Sequence, residues 1–223
     1  MLFAAAAGSV SAMADNAPLW LRDAAISPDG SRIAFTFKGD IYTVPTSGGK
    51  ASRLTALPSL EWAPVWSPDG TKIAFATDRN GGSDIYIMGA DGGHATRLTF
   101  DSASETPEAF TPDGAEIVFS AAIQDAPSSV MFPTARLTEV YTVPAAGGRT
   151  RQLLSTPAEK ISYLPDGKSF LYHDVKGMEN KFRKHHTSSV TRDIWLYDAK
   201  SGARSYRRCA RSAPAFCPNP HPR

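Results

Sequence analysis

Residues 66–99 carry a pattern that decides the fold: Trp66-Ser67-Pro68-Asp69-Gly70, then Ile73-Ala74-Phe75, Asp84-Ile85-Tyr86, Gly92-Gly93 and Arg97-Leu98-Thr99. Proline presets φ at the second position of a tight turn. Aspartate bonds to nearby backbone, and glycine takes the position where φ is often positive. The short β-branched and aromatic runs that follow read as strands packed on both faces.

The same letters return along the chain. Three further P-D-G turns stand at Pro28-Asp29-Gly30, Pro112-Asp113-Gly114 and Pro165-Asp166-Gly167, so the aspartates are 40, 44 and 53 residues apart. A hydroxyl residue precedes the proline in three copies, Ser27, Ser67 and Thr111, whereas the fourth has Leu164. After each turn come Ile33-Ala34-Phe35, Ile117-Val118-Phe119 or Phe170-Leu171-Tyr172, and then Asp40-Ile41-Tyr42, Glu139-Val140-Tyr141 or Asp193-Ile194-Trp195. A glycine turn follows (Gly48-Gly49, Gly147-Gly148, Ser201-Gly202), and a further strand is expected to begin at Arg53-Leu54-Thr55, Arg97-Leu98-Thr99 and Gln152-Leu153-Leu154. With a strand before each P-D-G turn, every unit holds four antiparallel strands. A period of this length reads as blades of a β-propeller, in which neighbours must cover each other's faces. The fold class is all-β: a partial propeller of about four four-stranded blades over residues 15–202.

The fourth unit has Arg204-Ser205-Tyr206-Arg207 where its last strand belongs, and the pattern then stops. The reading is that this blade lacks its final strand, and that an incomplete ring with uncovered faces is poorly stable or aggregates. Residues 203–223 hold five of the 24 Lys and Arg, none of the 22 acids, and both cysteines, Cys209 and Cys217. They read as an aberrant or disordered tail, as from a frameshift or gene-model break near Ala203. The body before them is slightly acidic. This near balance speaks against a dedicated nucleic-acid binder.

The first 14 residues, MLFAAAAGSVSAMA, are apolar and end in Ala12-Met13-Ala14 before Asp15. That is the mark of a signal peptide, although a positive amino-terminal region is missing. A periplasmic or secreted protein is expected. No other stretch has the roughly 18 apolar residues that span a bilayer.

The units resemble the WD-like repeat of TolB-type propellers over about residues 18–202. Other stretches resemble the amino-terminal propeller of secreted tricorn protease-like serine peptidases. These are Pro18-Leu19-Trp20-Leu21-Arg22, the long third blade with Phe132-Pro133 to Arg136-Leu137, and the insert from His173-Asp174-Val175-Lys176-Gly177 through Arg183-Lys184-His185-His186 to Trp195. The resemblance implies a non-catalytic propeller that meets peptide or protein. The PDZ and serine-peptidase domains of such an enzyme would then belong to a longer parent chain. A TolB-like periplasmic binding propeller is the alternative.

No catalytic residue, cofactor site or metal site is expected. Ser188 and Ser189 beside His185 and His186 lack a strained nucleophile elbow and an orienting acid. His173, His185 and His186 make a poor zinc set, since zinc sites draw three or four ligands from rigid elements. Acids recurring once per unit (Asp29, Asp69, Asp113, Asp166; Asp40, Asp84, Glu139, Asp193) belong to the repeat. The basic cluster Arg183, Lys184, His185 and His186 is the one candidate interaction loop.

Overall fold

A computed structural model describes residues 20–123, 137–154, 156–175, 192–198, 200–201 and 203–207. Among them are 16 strands and no helix. Four sheets of four strands run in chain order: β1(Arg22–Ile26) to β4(Ser52–Arg53), β5(Glu61–Trp66) to β8(Gly92–Arg97), β9(Glu105–Phe110) to β12(Arg151–Leu154), and β13(Ala158–Tyr163) to β16(Ala203–Arg207). All pairings are antiparallel. The first strands pack on one another in sequence, β1 on β5, β5 on β9 and β9 on β13, so they line the axis. The radial four-blade arrangement expected from the repeat is the one observed. Among the described residues, strand packing runs from each blade to the next and does not join the fourth to the first in any substantial way.

One expectation is corrected. β16(Ala203–Arg207) pairs with β15(Ile194–Asp198) over five residue pairs, so the fourth sheet has its outer strand. An outer strand is held by backbone hydrogen bonds along one edge, which any non-proline sequence supplies. Loss of the R-L-T letters therefore does not abolish it. A second difference lies in the R-L-T segments. β4 and β8 end at the arginine. The threonine leaves the ladder, and its hydroxyl accepts the amide of the neighbouring D-I-Y strand: Ile41 N to Thr55 Oγ1 is 2.9 Å and Ile85 N to Thr99 Oγ1 is 2.8 Å. In the third blade Leu154 has no hydroxyl and stays in β12, opposite Val140.

The I-A-F triplet explains how blades stack. Successive strand residues point to opposite faces. Ile73 and Phe75 enter the core between blades one and two, while Ala74 enters the next core. Ile117 and Phe119 face blade two, and Val118 faces blade four. Large residues thus meet Ala34 across the first seam and Ala74 across the second. In blade one Ile33 and Phe35 belong to none of the inter-blade clusters among the described residues; Phe35 stacks on Tyr42 of its own sheet with ring centroids 5.8 Å apart.

Each P-D-G turn is locked from within. Asp69 Oδ1 accepts the Ser67 hydroxyl at 2.6 Å and the Thr71 amide at 3.0 Å, and the Ser67 hydroxyl accepts the Lys72 amide at 2.9 Å. Asp29 and Asp113 repeat this set. In the fourth copy Leu164 cannot donate, and Asp166 Oδ1 takes the Ser169 amide instead, at 2.9 Å. Gly70 lies at φ 69°, which only glycine adopts without strain, and its face meets Pro28 of the preceding turn. Gly114 meets Pro68, and Gly167 meets Pro112, in the same way. The turns therefore stack around one end of the molecule.

Candidate functional site

The opposite end carries the inter-blade polar chemistry. The first residue of each following inner strand donates its amide to the carbonyl at or just before the D-I-Y strand of the preceding blade. Glu61 N to Gly39 O is 2.8 Å, and Glu105 N to Ser83 O and Ala158 N to Thr138 O are both 2.9 Å. The recurring D-I-Y acid pairs with the arginine of R-L-T within its own blade: Asp40–Arg53 at 2.7 Å and Asp84–Arg97 at 2.9 Å. Glu139 takes the Gln152 side-chain amide at 2.7 Å in the third. These acids serve the repeat, as their recurrence implied.

Two further acids, Glu61 and Glu105, begin the inner strands of blades two and three and are fully buried. Glu61 Oε1 accepts the Ser59 hydroxyl at 2.7 Å and pairs with Arg79 at 3.1 Å. Glu105 has no such cation among the described residues. Thr99 donates its hydroxyl to Glu105 Oε2. Burial pushes the Glu105 carboxyl up to about 7, with Asp84 and Asp101 adding to the rise against the Thr99 hydrogen bond.

Every inner strand bulges opposite the aromatic of its second strand: at residues 23–24 across from Phe35, 63–64 from Phe75, 107–108 near Phe119, and 160–161 across from Tyr172. Asp23, Ala63 and Lys160 adopt positive φ there (51°, 51° and 59°), whereas Pro107 holds the corresponding place in the third blade. Bulges re-aim side chains and bend a strand, here around the axis.

A cavity of about 410 Å³ opens at this end of the first seam, with Trp20, Arg22, Asp23, Lys38, Leu60, Glu61 and Trp62 among its lining. Its cause is a loop length. Two residues, Lys38 and Gly39, join β2(Arg32–Phe37) to β3(Asp40–Pro45), whereas six join β6(Lys72–Thr77) to β7(Asp84–Gly89). The short turn leaves the flank of β5 uncovered. Gly39 is pressed against Leu60: a β-carbon there would come within 2.8 Å of Leu60 Cδ2. Sequence reasoning missed this cavity, since its residues lie far apart in the chain and outside the recurring letters.

The candidate loop Arg183, Lys184, His185 and His186 lies outside the described residues, as do Ser188, Ser189, the first 14 residues, Phe132 to Arg136 and both cysteines. Of the proposed histidines, His173 is described; it sits in β14(Phe170–Asp174) opposite Glu159 and Ile194. Among the described residues no three His, Cys, Asp or Glu gather as a metal set.

Radially stacked four-stranded sheets with their first strands about one axis define a β-propeller. A TolB protein from Agrobacterium tumefaciens superposes with a TM-score of 0.62 at 24% identity, over 82% of this chain and 63% of that one. The tricorn protease structure gives 0.61 at 14% identity, over 83% of this chain and 22% of that one. Tricorn protease homolog 1 of Streptomyces coelicolor is 40% identical over 65 residues, 29% of this chain and 6% of that protein. The chain thus spans less than two thirds of each of these relatives. It belongs to the tricorn protease N-terminal β-propeller domain family, whose pattern matches residues 18–213.

Proposed function

We propose that this chain is the non-catalytic propeller portion of a secreted tricorn-like serine peptidase and that it admits or holds peptide or protein substrates. The observation that carries the reading is the family match through all four blades. The PDZ and serine-peptidase domains belong, in this reading, to the rest of the parent chain. The Ala12-Met13-Ala14 site directs export to the periplasm or beyond, and mature protein begins at Asp15. The insert with Arg183, Lys184, His185 and His186 offers positive charge to a peptide or to a neighbouring domain. No cofactor, metal or nucleic acid takes part.

Purified chain is expected to hydrolyse no peptide, while the full-length parent does. Turnover by the purified chain overturns the reading, as does a parent open reading frame without a peptidase domain. The second reading is a TolB-like periplasmic propeller that docks proteins. It is favoured by the similarity to TolB of Acinetobacter baumannii, with a TM-score of 0.63 at 22% identity. A reading frame that stops after a few more blades selects it.

A further inference from the structure

In a repeat protein the recurring residues build the fold, so residues that break the repeat mark what is particular to the molecule. Two residues lining the cavity at the first seam are of this kind. Trp62 is replaced by Thr106 at the matching place in β9 and by Glu159 in β13. Lys38 stands in a two-residue turn found in no other described blade.

The charges at the cavity are unequal in availability. Asp23 Oδ2 faces the Ala63 amide and the Thr36 hydroxyl, both at 3.4 Å, and Glu61 is buried against Arg79 at 3.1 Å. Arg22 and Lys38 are exposed and have no carboxylate partner among the described residues. Each is steadied by an aromatic ring instead. The Arg22 guanidinium lies 5.7 Å from the Trp20 ring centre, and the Lys38 ammonium 5.4 Å from that of Phe37. Trp20 and Leu60 are exposed large apolar groups on the same cavity, 73% and 57% accessible. Two unpaired cations beside apolar walls suit a carboxylate adjoining an apolar side chain. The volume of about 410 Å³ accommodates a segment of one or two residues.

We infer that the Trp20–Trp62 cavity is a binding site for acidic peptide segments, with Arg22 and Lys38 holding a carboxylate and Trp20, Leu60 and Trp62 enclosing the apolar side chain beside it. The inference rests on the peptide-binding reading above and names where and what the propeller binds. The carboxylate has two sources, an acidic side chain within the segment or a free chain end.

The test is titration of the full chain with three blocked or unblocked peptides, followed by tryptophan fluorescence. These are acetyl-Ala-Leu-Asp-Ala-amide, its Asn counterpart, and acetyl-Ala-Ala-Leu with a free carboxylate. The Asp peptide is expected to bind at least about tenfold more tightly than the Asn peptide, an advantage that shrinks with salt. The free-carboxylate peptide reports whether a chain end serves as well, and binding by either source supports the site. R22Q and K38Q are each expected to weaken binding by about three- to tenfold with unchanged circular dichroism. A Trp62→Leu variant should reduce affinity for both carboxylate peptides while keeping their preference over the Asn peptide. Failure of both carboxylate peptides to bind more tightly than the Asn peptide overturns the inference, as does binding indifferent to R22Q and K38Q. In the latter case peptide binding elsewhere still stands, so the failure is separable from that of the broader reading.

Discussion

Trp66 donates its indole Nε1–H to the carbonyl of Ala25 at 3.0 Å, reaching from the second blade into the first. Arg32 of the first blade reaches back, its guanidinium 5.0 Å from the Trp66 ring centre and its Nη1 2.7 Å from Asp91. Trp66→Phe keeps much of the apolar contact and removes the donor, which leaves the Ala25 carbonyl short of a partner. A loss of about 1–2 kcal/mol is expected by urea denaturation. Trp66→Ala should cost more, about 3–5 kcal/mol.

Phe75 and Phe35 hold the same place in successive blades, and both are buried, but only Phe75 belongs to an inter-blade core cluster among the described residues. Phe75→Ala is expected to cost about 3–5 kcal/mol. Phe35→Ala should cost less, since Phe35 joins none of the inter-blade clusters among the described residues and stacks only within its own sheet, on Tyr42. Equal losses in chemical denaturation would show that the two faces are covered alike.

Glu105 predicts a pH dependence. Its carboxyl has an ordinary value of 4.5 and stands at about 7 in the folded protein. Between those values the folded state binds the proton that the unfolded state releases. Stability is therefore full below the ordinary value and falls as pH rises toward 7. Glu105→Gln is neutral throughout, and should flatten this slope and raise stability above pH 7 by on the order of 1–3 kcal/mol. Melting temperatures from pH 5 to 8 check both signs.

Asp69 predicts the opposite slope. The Ser67 hydroxyl, the Thr71 amide and the Thr71 hydroxyl hold its carboxyl down at about 2. Its contribution is present above the ordinary value of 3.8 and is lost as pH falls through the lower one. Asp69→Ala should lower the melting midpoint at pH 6, and the gap to the parent protein should narrow toward pH 2.

The blades were legible because each recurring letter answers a local demand. Asp69 and Gly70 meet the needs of the turn itself, and the alternation Ile73-Ala74-Phe75 assigns faces with period two. What recurs without a local demand was harder to read. Asp84 was recognisable as part of the repeat, but its partner Arg97 lies 13 residues on and meets it only once β7 and β8 pair. The bulge at Ala63 leaves no letter, since Asp23, Ala63, Pro107 and Lys160 share no chemistry. β16 was missed because backbone bonds, not its side chains, recruit it. The cavity at the first seam was hidden for a further reason. Lys38 and Trp62 become neighbours through a turn too short to cover them, and a short turn is visible only beside the longer ones.

The amides of Glu61, Glu105 and Ala158 all point back along the chain, each to a carbonyl of the module made before it. Growth from the ribosome thus has a built-in polarity. Every new module emerges with its donor ready, to find an acceptor that has already been synthesised, and none must wait for a later partner to complete that joint.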